Sequence, residues 1–279
     1  MPDAENLPHE TTLLLRGAQD EDTALKSRRW VDRMRHNVAP DDLVIPLMII
    51  TFSTSAMDVA TLQTFGTYTT NQTGNTVFIA LSLLSLGRVP LRPALVSLIG
   101  FLGFGLIMGQ TGIRIGARTI GWLLFSLLVQ TVSLLLATVL VSPLGPASFY
   151  AGGPNQWVLV LLTAISGGTQ IAMISKSELT GRVQQASSVG VPELPTGMMT
   201  TPYARLISEP NLLHWRIRDA ARDRRAVYVL VFWAGAFTGA ALERWIASWL
   251  TFGLGVGCKA LAMGMVFMAK EEGSRRVGG

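Results

Sequence analysis

Hydrophobic positions in this chain fall into continuous runs rather than periodic stripes. Six runs approach or exceed the ~20 residues that an α-helix needs to cross ~30 Å of hydrocarbon: about 43–62, 91–113, 120–142, 156–175, 226–246 and 250–269. Two shorter apolar pieces, 73–87 and 196–208, interrupt the series. The order is long, short, long, long, and then the same again, which predicts an internal duplication. Repeat one covers about 43–142 and repeat two about 156–269.

Composition agrees with a membrane fold. Apolar residues make up 49% of the chain and charged ones only 15%, against roughly 25% charged in soluble domains. The mean hydropathy is +0.39. The net charge of +5 resides in tails and loops, which excludes a nucleic-acid-binding face and points to topology signals. Residues 1–42 are polar, contain Pro2, Pro8 and Pro40, and read as a disordered cytosolic tail. Leu13-Leu14-Leu15 is too short for the apolar core of a signal peptide. Residues 271–279 read as a second cytosolic tail.

Charge then selects a topology. If both short pieces are re-entrant, nineteen of the twenty-three Lys and Arg residues lie on the cytosolic side, eight of them in a basic loop at 176–225. Arg88, Arg92 and Arg244 remain outside, and the loop at 143–155 is uncharged. If the first short piece spans instead, the basic loop moves outside, against the positive-inside rule. Three crossings per repeat make the second copy enter from the opposite face. The expected fold is therefore all-α: a polytopic membrane protein of six transmembrane helices in two inverted three-helix repeats, each with a short re-entrant half-helix and both termini cytosolic. Trp122 and Tyr228 are expected at the inner interface, and Tyr150, Trp157, Trp245 and Trp249 at the outer one.

The short pieces supply candidate chemistry. Residues 66–72 reach about 23 Å when extended, more than the roughly 15 Å of half a bilayer core. Asn71 and Thr73 are placed to cap the helix that follows, and Gly74 lets another backbone approach. Thr196 and Gly197, led in by Pro192 and Pro195, repeat the pattern. Two opposed helix N-termini near midplane favour an anion. Asp58 faces the bundle, since a carboxylate in lipid costs about 3 kcal/mol or more. Gln170 occupies the comparable place in repeat two. The candidate substrate-binding set is Asp58, Asn71, Thr73, Gly74, Asn75, Gln170, Thr196 and Gly197.

Other polar residues have plainer readings. Gln130 is expected to bond between helices. Lys259 is expected to snorkel, or to sit beside a non-helical break at Gly253, Gly255 and Gly257, and whether it pairs with Asp58 stays open. Gly105 with Gly109 and Gly235 with Gly239 have the spacing of close helix contacts. The lone Cys258 excludes an intrachain disulfide. His9, His36 and His214 all lie in tails or the large loop, so no enzyme, metal or cofactor is expected. No Gly-Lys-Ser/Thr phosphate loop is present.

The segment Ala56-Met57-Asp58-Val59-Ala60, followed by Asn71-Gln72-Thr73-Gly74-Asn75-Thr76, resembles the signature of the YoaK-like family (domain of unknown function 1275). These are uncharacterised membrane proteins of bacteria and fungi, and this chain looks like a fungal-type member. Ser55 stands where the family often has glycine. Gly167-Gly168-Thr169-Gln170 and Thr196-Gly197 are similar to the family's second-half elements. The resemblance covers about 43–269 and implies a fold and a membrane location, with no substrate. The expected function is a secondary transporter or channel for a small solute, anions included. The alternative is a non-transporting scaffold that binds lipid or a protein partner through the basic loop.

Overall fold

The computed structural model describes residues 25, 26, 28, 30–86, 90–174, 199–209 and 219–269. Within them each apolar run forms a helix. These are α1 (Pro40–Phe65), α2 (Gln72–Leu83), α3 (Leu91–Ile115), α4 (Ile120–Val141), α5 (Gln156–Ile174), α6 (Thr200–Ile207), α7 (Ala220–Trp245) and α8 (Ser248–Met268). Six are long and apolar enough to cross a bilayer. Among the described residues no strand forms, and the one isolated bridge joins Asn37 to Thr119. Ile99, Leu102, Leu106, Leu230 and Phe237 are exposed on α3 and α7. Apolar area of that extent needs lipid around it, and the chain is an integral membrane protein.

The long helices alternate in direction. At one end, here the tail end, Ile120 N donates to His36 O and Val38 N to Arg118 O. Arg33 Nη2 donates to Phe267 O at 2.6 Å, and Arg224 lies 3.9 Å from Asp41. The start of α1, the end of α3, the start of α4, the start of α7 and the end of α8 therefore meet there. At the far end, Gly66 terminates α1 with φ 68° and a Cβ built on it would lie 3.0 Å from Pro90 Cγ. The end of α1 thus adjoins the start of α3.

Burial follows packing partners. The most apolar window of α1 is 72% buried, against 17% in α7. Helix α1 packs on α7 and α8, while α5 packs on α3 and α4; α4 also packs on α8, α2 on α3, and α6 on α7. Helix α1 tolerates burial of its Thr and Ser residues because their hydroxyls bond back to the preceding turn: Thr51 to Leu47 O, Thr54 to Ile50 O, Thr61 to Met57 O, at 2.7–2.9 Å. Close approach needs glycine at two contacts. A Cβ on Gly168 would overlap Phe101 O, and one on Gly239 would lie 2.6 Å from Ala56 O. Gly239→Leu should therefore lower the thermal unfolding midpoint through a penalty of about 1–3 kcal/mol. Gly109→Leu, where a Cβ meets nothing within 4 Å, should leave the midpoint unchanged.

Two expectations change. The tail expected to be disordered through residue 42 is ordered from residue 30: residues 30–35 are helical, Trp30 and Arg33 lie against Phe267, and α1 already starts at Pro40. Backbone pairing with Arg118 and Ile120 supplies the order that composition does not advertise. Trp122 and Tyr228, expected as interfacial rings, are 0% exposed and pack inside the core with Leu123 and Leu127. Trp245 is 79% exposed.

Candidate functional site

Four helices, α1, α4, α5 and α8, converge on one buried lysine. Lys259, near the middle of α8, is 2% exposed. Its Nζ donates to Gln130 Oε1 at 2.6 Å and to Gln170 Oε1 at 2.7 Å. Thr54 Oγ1 lies 3.0 Å from the same Gln170 oxygen. Helix α8 is continuous through Gly253, Gly255 and Gly257, so neither the expected break nor snorkelling occurs. Small residues on the α8 face let α1 and α4 close over the ammonium instead: a Cβ on Gly255, one turn away, would lie 3.1 Å from Met57 Sδ and 3.3 Å from Leu134 Cδ1.

Among the described residues the lysine's hydrogen-bond partners are neutral. Asp58 does not pair with it, because its carboxylate is already occupied. Asp58 Oδ1 accepts from Thr69 N and Thr70 N at 2.8 Å each, and Oδ2 accepts from Thr70 Oγ1 at 2.6 Å. Asp58 lies two turns, roughly 10 Å, before the end of α1. The connector after α1 has therefore folded back into the bundle to that depth.

Asn75, 0% exposed, completes this connector. Its Oδ1 accepts from Thr67 Oγ1 and Tyr68 N, and its Nδ2 lies 2.9 Å from both Tyr68 O and Gln72 Oε1 and 3.1 Å from Ser97 Oγ. Asn71 Oδ1 caps Gly74 N at 3.2 Å. The Tyr68 ring lies against Gly74, where a Cβ would come 2.8 Å from Tyr68 Cε2. Asn71 and Thr73 are exposed.

The sequence-derived candidates thus separate into two groups. Asn71, Gly74, Asn75 and Asp58 together hold the short helix and its connector, with Thr73 on its outer face. Gln170 belongs to the lysine cluster. The groups are one helical turn apart, since Asp58 follows Thr54 on α1 and Gly167, which touches Thr69, precedes Gln170 on α5. Thr196 and Gly197 lie outside the described residues, as does most of the basic loop.

Apolar side chains flank the lysine cluster on both sides. Toward the tail end lie Ile50, Leu127, Met173 and Val266. Toward the far end lie Met57, Leu134 and Phe252. Beyond that second layer a recess of about 490 Å³ opens at the far end, lined by Thr64, Tyr150, Ser248 and Trp249 among others. Glu243, which no sequence criterion singled out, stands beside it: its carboxylate accepts from Ser248 Oγ at 2.7 Å and Thr251 Oγ1 at 3.1 Å. No group of His, Cys, Asp and Glu suited to a metal ion occurs among the described residues.

No curated protein and no solved structure matches the chain. One family model does match, over residues 47–265, which takes in Asp58, the Thr73-Gly74-Asn75 motif, the lysine cluster and Glu243. The chain belongs to the family described as "Protein of unknown function (DUF1275)".

Proposed function

We propose that this protein is a secondary carrier for a small anionic solute, with Lys259, Gln130, Gln170 and Thr54 as the central site. The observation that carries it is the lysine itself. A charged residue at membrane depth is costly and marks a functional site by default. Here no carboxylate among the described residues offsets it, so an anion supplied from outside completes the charge. The apolar side chains on both sides of the cluster, with a recess beyond one of them, favour alternating access over an open pore.

Packing supports two inverted repeats. Exchanging α1 with α5, α2 with α6, α3 with α7 and α4 with α8 maps each major helix contact onto another: α3–α5 onto α7–α1, α4–α5 onto α8–α1, and α2–α3 onto α6–α7. The α4–α8 pair maps onto itself, and Gln130 and Lys259 meet there. In this arrangement α2 dips from the far end and α6 from the tail end, where Tyr203 reaches Trp233 midway along α7. The basic excess on that side favours a cytosolic tail end. Asp58 and Asn75 position the dipping segment that covers the site.

Two experiments test this. In thermal unfolding of the purified protein, small anions should raise the midpoint while matched neutral solutes do not. Stabilisation by neutral solutes alone, or by none together with absent flux in proteoliposomes, removes the carrier and leaves the lipid- or partner-binding scaffold. Cysteines at Leu86 and at Asp41, in a Cys258→Ser background, should be labelled by impermeant maleimide from opposite faces. Labelling of both from one face defeats the re-entrant hairpin.

A further inference from the structure

We infer that Glu243, Thr64, Ser248 and Thr251 form a binding site for a small monovalent cation, with sodium the best fit. These residues come from three elements that meet at the far end: the close of α1, the close of α7 and the start of α8. Ser248 Oγ lies 2.7 Å from Glu243 Oε2, Thr251 Oγ1 lies 3.1 Å from Oε1, and Thr64 Oγ1 lies 3.4 Å from both Oε2 and Ser248 Oγ. Three hydroxyl oxygens thus lie against the two oxygens of one carboxylate, with no nitrogen or sulfur among these contacts. Oxygen-only ligation selects hard cations, and a cation held at roughly 2.4 Å separates neighbouring ligands by roughly 3.4 Å. The two 3.4 Å spacings at Thr64 match that separation, and the shorter Ser248 and Thr251 contacts are hydrogen bonds that a bound ion would lengthen.

Charge balance points the same way. Glu243 forms no ion pair with any Lys or Arg among the described residues; its bonds there go to hydroxyls alone. The adjacent Arg244 is exposed. Thr251 is fully buried, with its hydroxyl directed at the carboxylate. A single carboxylate neutralises a single charge, which favours a monovalent over a divalent ion. Access exists as well, because Thr64 and Ser248 also line the far-end recess. The site is distinct from the lysine cluster, from which Phe252, Met57 and Leu134 separate it.

The test uses the full chain, purified in detergent and unfolded thermally in sodium, potassium or N-methylglucamine chloride at equal ionic strength. Sodium should raise the midpoint by several degrees over N-methylglucamine, with potassium between or without effect. Glu243→Gln should abolish the shift, and Thr251→Val should raise the half-maximal sodium concentration at least about tenfold, the scale of one lost ligand. Lys259→Met should keep the sodium shift, so that failure of this site and failure of the anion site register separately. Equal midpoints in all three salts, or a sodium shift unchanged in both Glu243→Gln and Thr251→Val, overturns the assignment. Stabilisation by tetramethylammonium chloride in place of sodium also overturns it, giving the recess with Tyr150 and Trp249 to an organic cation. Should Glu243→Gln fail to fold, the Thr251→Val titration decides alone.

Discussion

Replacing Lys259 with methionine is expected to cut solute flux in proteoliposomes by on the order of 100-fold, the worth of a lost charged hydrogen bond of about 1.5–3 kcal/mol. The thermal midpoint should hold or rise, because methionine fills the same space without a buried charge. Gln130 and Gln170 then lose a donor, and that cost tempers the gain. Lys259→Arg should also fail, since the larger planar fork has no room where Met57 and Leu134 already press on Gly255. Flux that survives in Lys259→Met, measured on protein with an unchanged elution profile, removes the central site from the mechanism.

The second large effect falls on folding. Asp58→Ala leaves Thr69 N, Thr70 N and the Thr70 hydroxyl without their acceptor in a buried connector. At about 1–3 kcal/mol per unsatisfied group, the loss should be about 3 kcal/mol or more, read as a lowered unfolding midpoint and faster proteolysis between Gly66 and Gln72. Asp58→Asn keeps an oxygen for both N–H groups and should cost about 1 kcal/mol. If the alanine variant unfolds like the parent, Asp58 does not hold the connector.

These residues show how far a sequence carries this fold. Long helices were legible because lipid demands uninterrupted apolar length, and α3, α4 and α5 begin where their runs begin. Helix α7 starts six residues before its expected boundary of 226. Asp219 caps it, accepting from Ala221 N and Arg222 N, and Arg222, Arg224 and Arg225 are helical although charged. An apolar-run criterion cannot see a helix that continues into the headgroups.

The site was legible in its residue types and not in their company. Lys259 finds its partners 129 and 89 residues away, so no local spacing joins them. Asp58 stood out as an intramembrane acid, yet its partners are backbone N–H groups, which every residue carries and no motif displays. Glu243 was hidden because, beside Arg244 near a helix end, it resembles an ordinary interfacial charge. The hydroxyl of Thr64 that approaches it comes from 179 residues earlier.

The ordered segment at 30–38 ties together the tail-end termini of the two helices that carry Gln130 and Lys259, holding Phe267 through Arg33 and the α4 start through His36 and Val38. In the proposed carrier cycle those ends part whenever cargo leaves on that side. Release there would work against a clasp that release on the other side does not meet, so the two half-cycles would run at unequal speed. A reporter domain fused just ahead of Trp30 would alter the very rate it was installed to record.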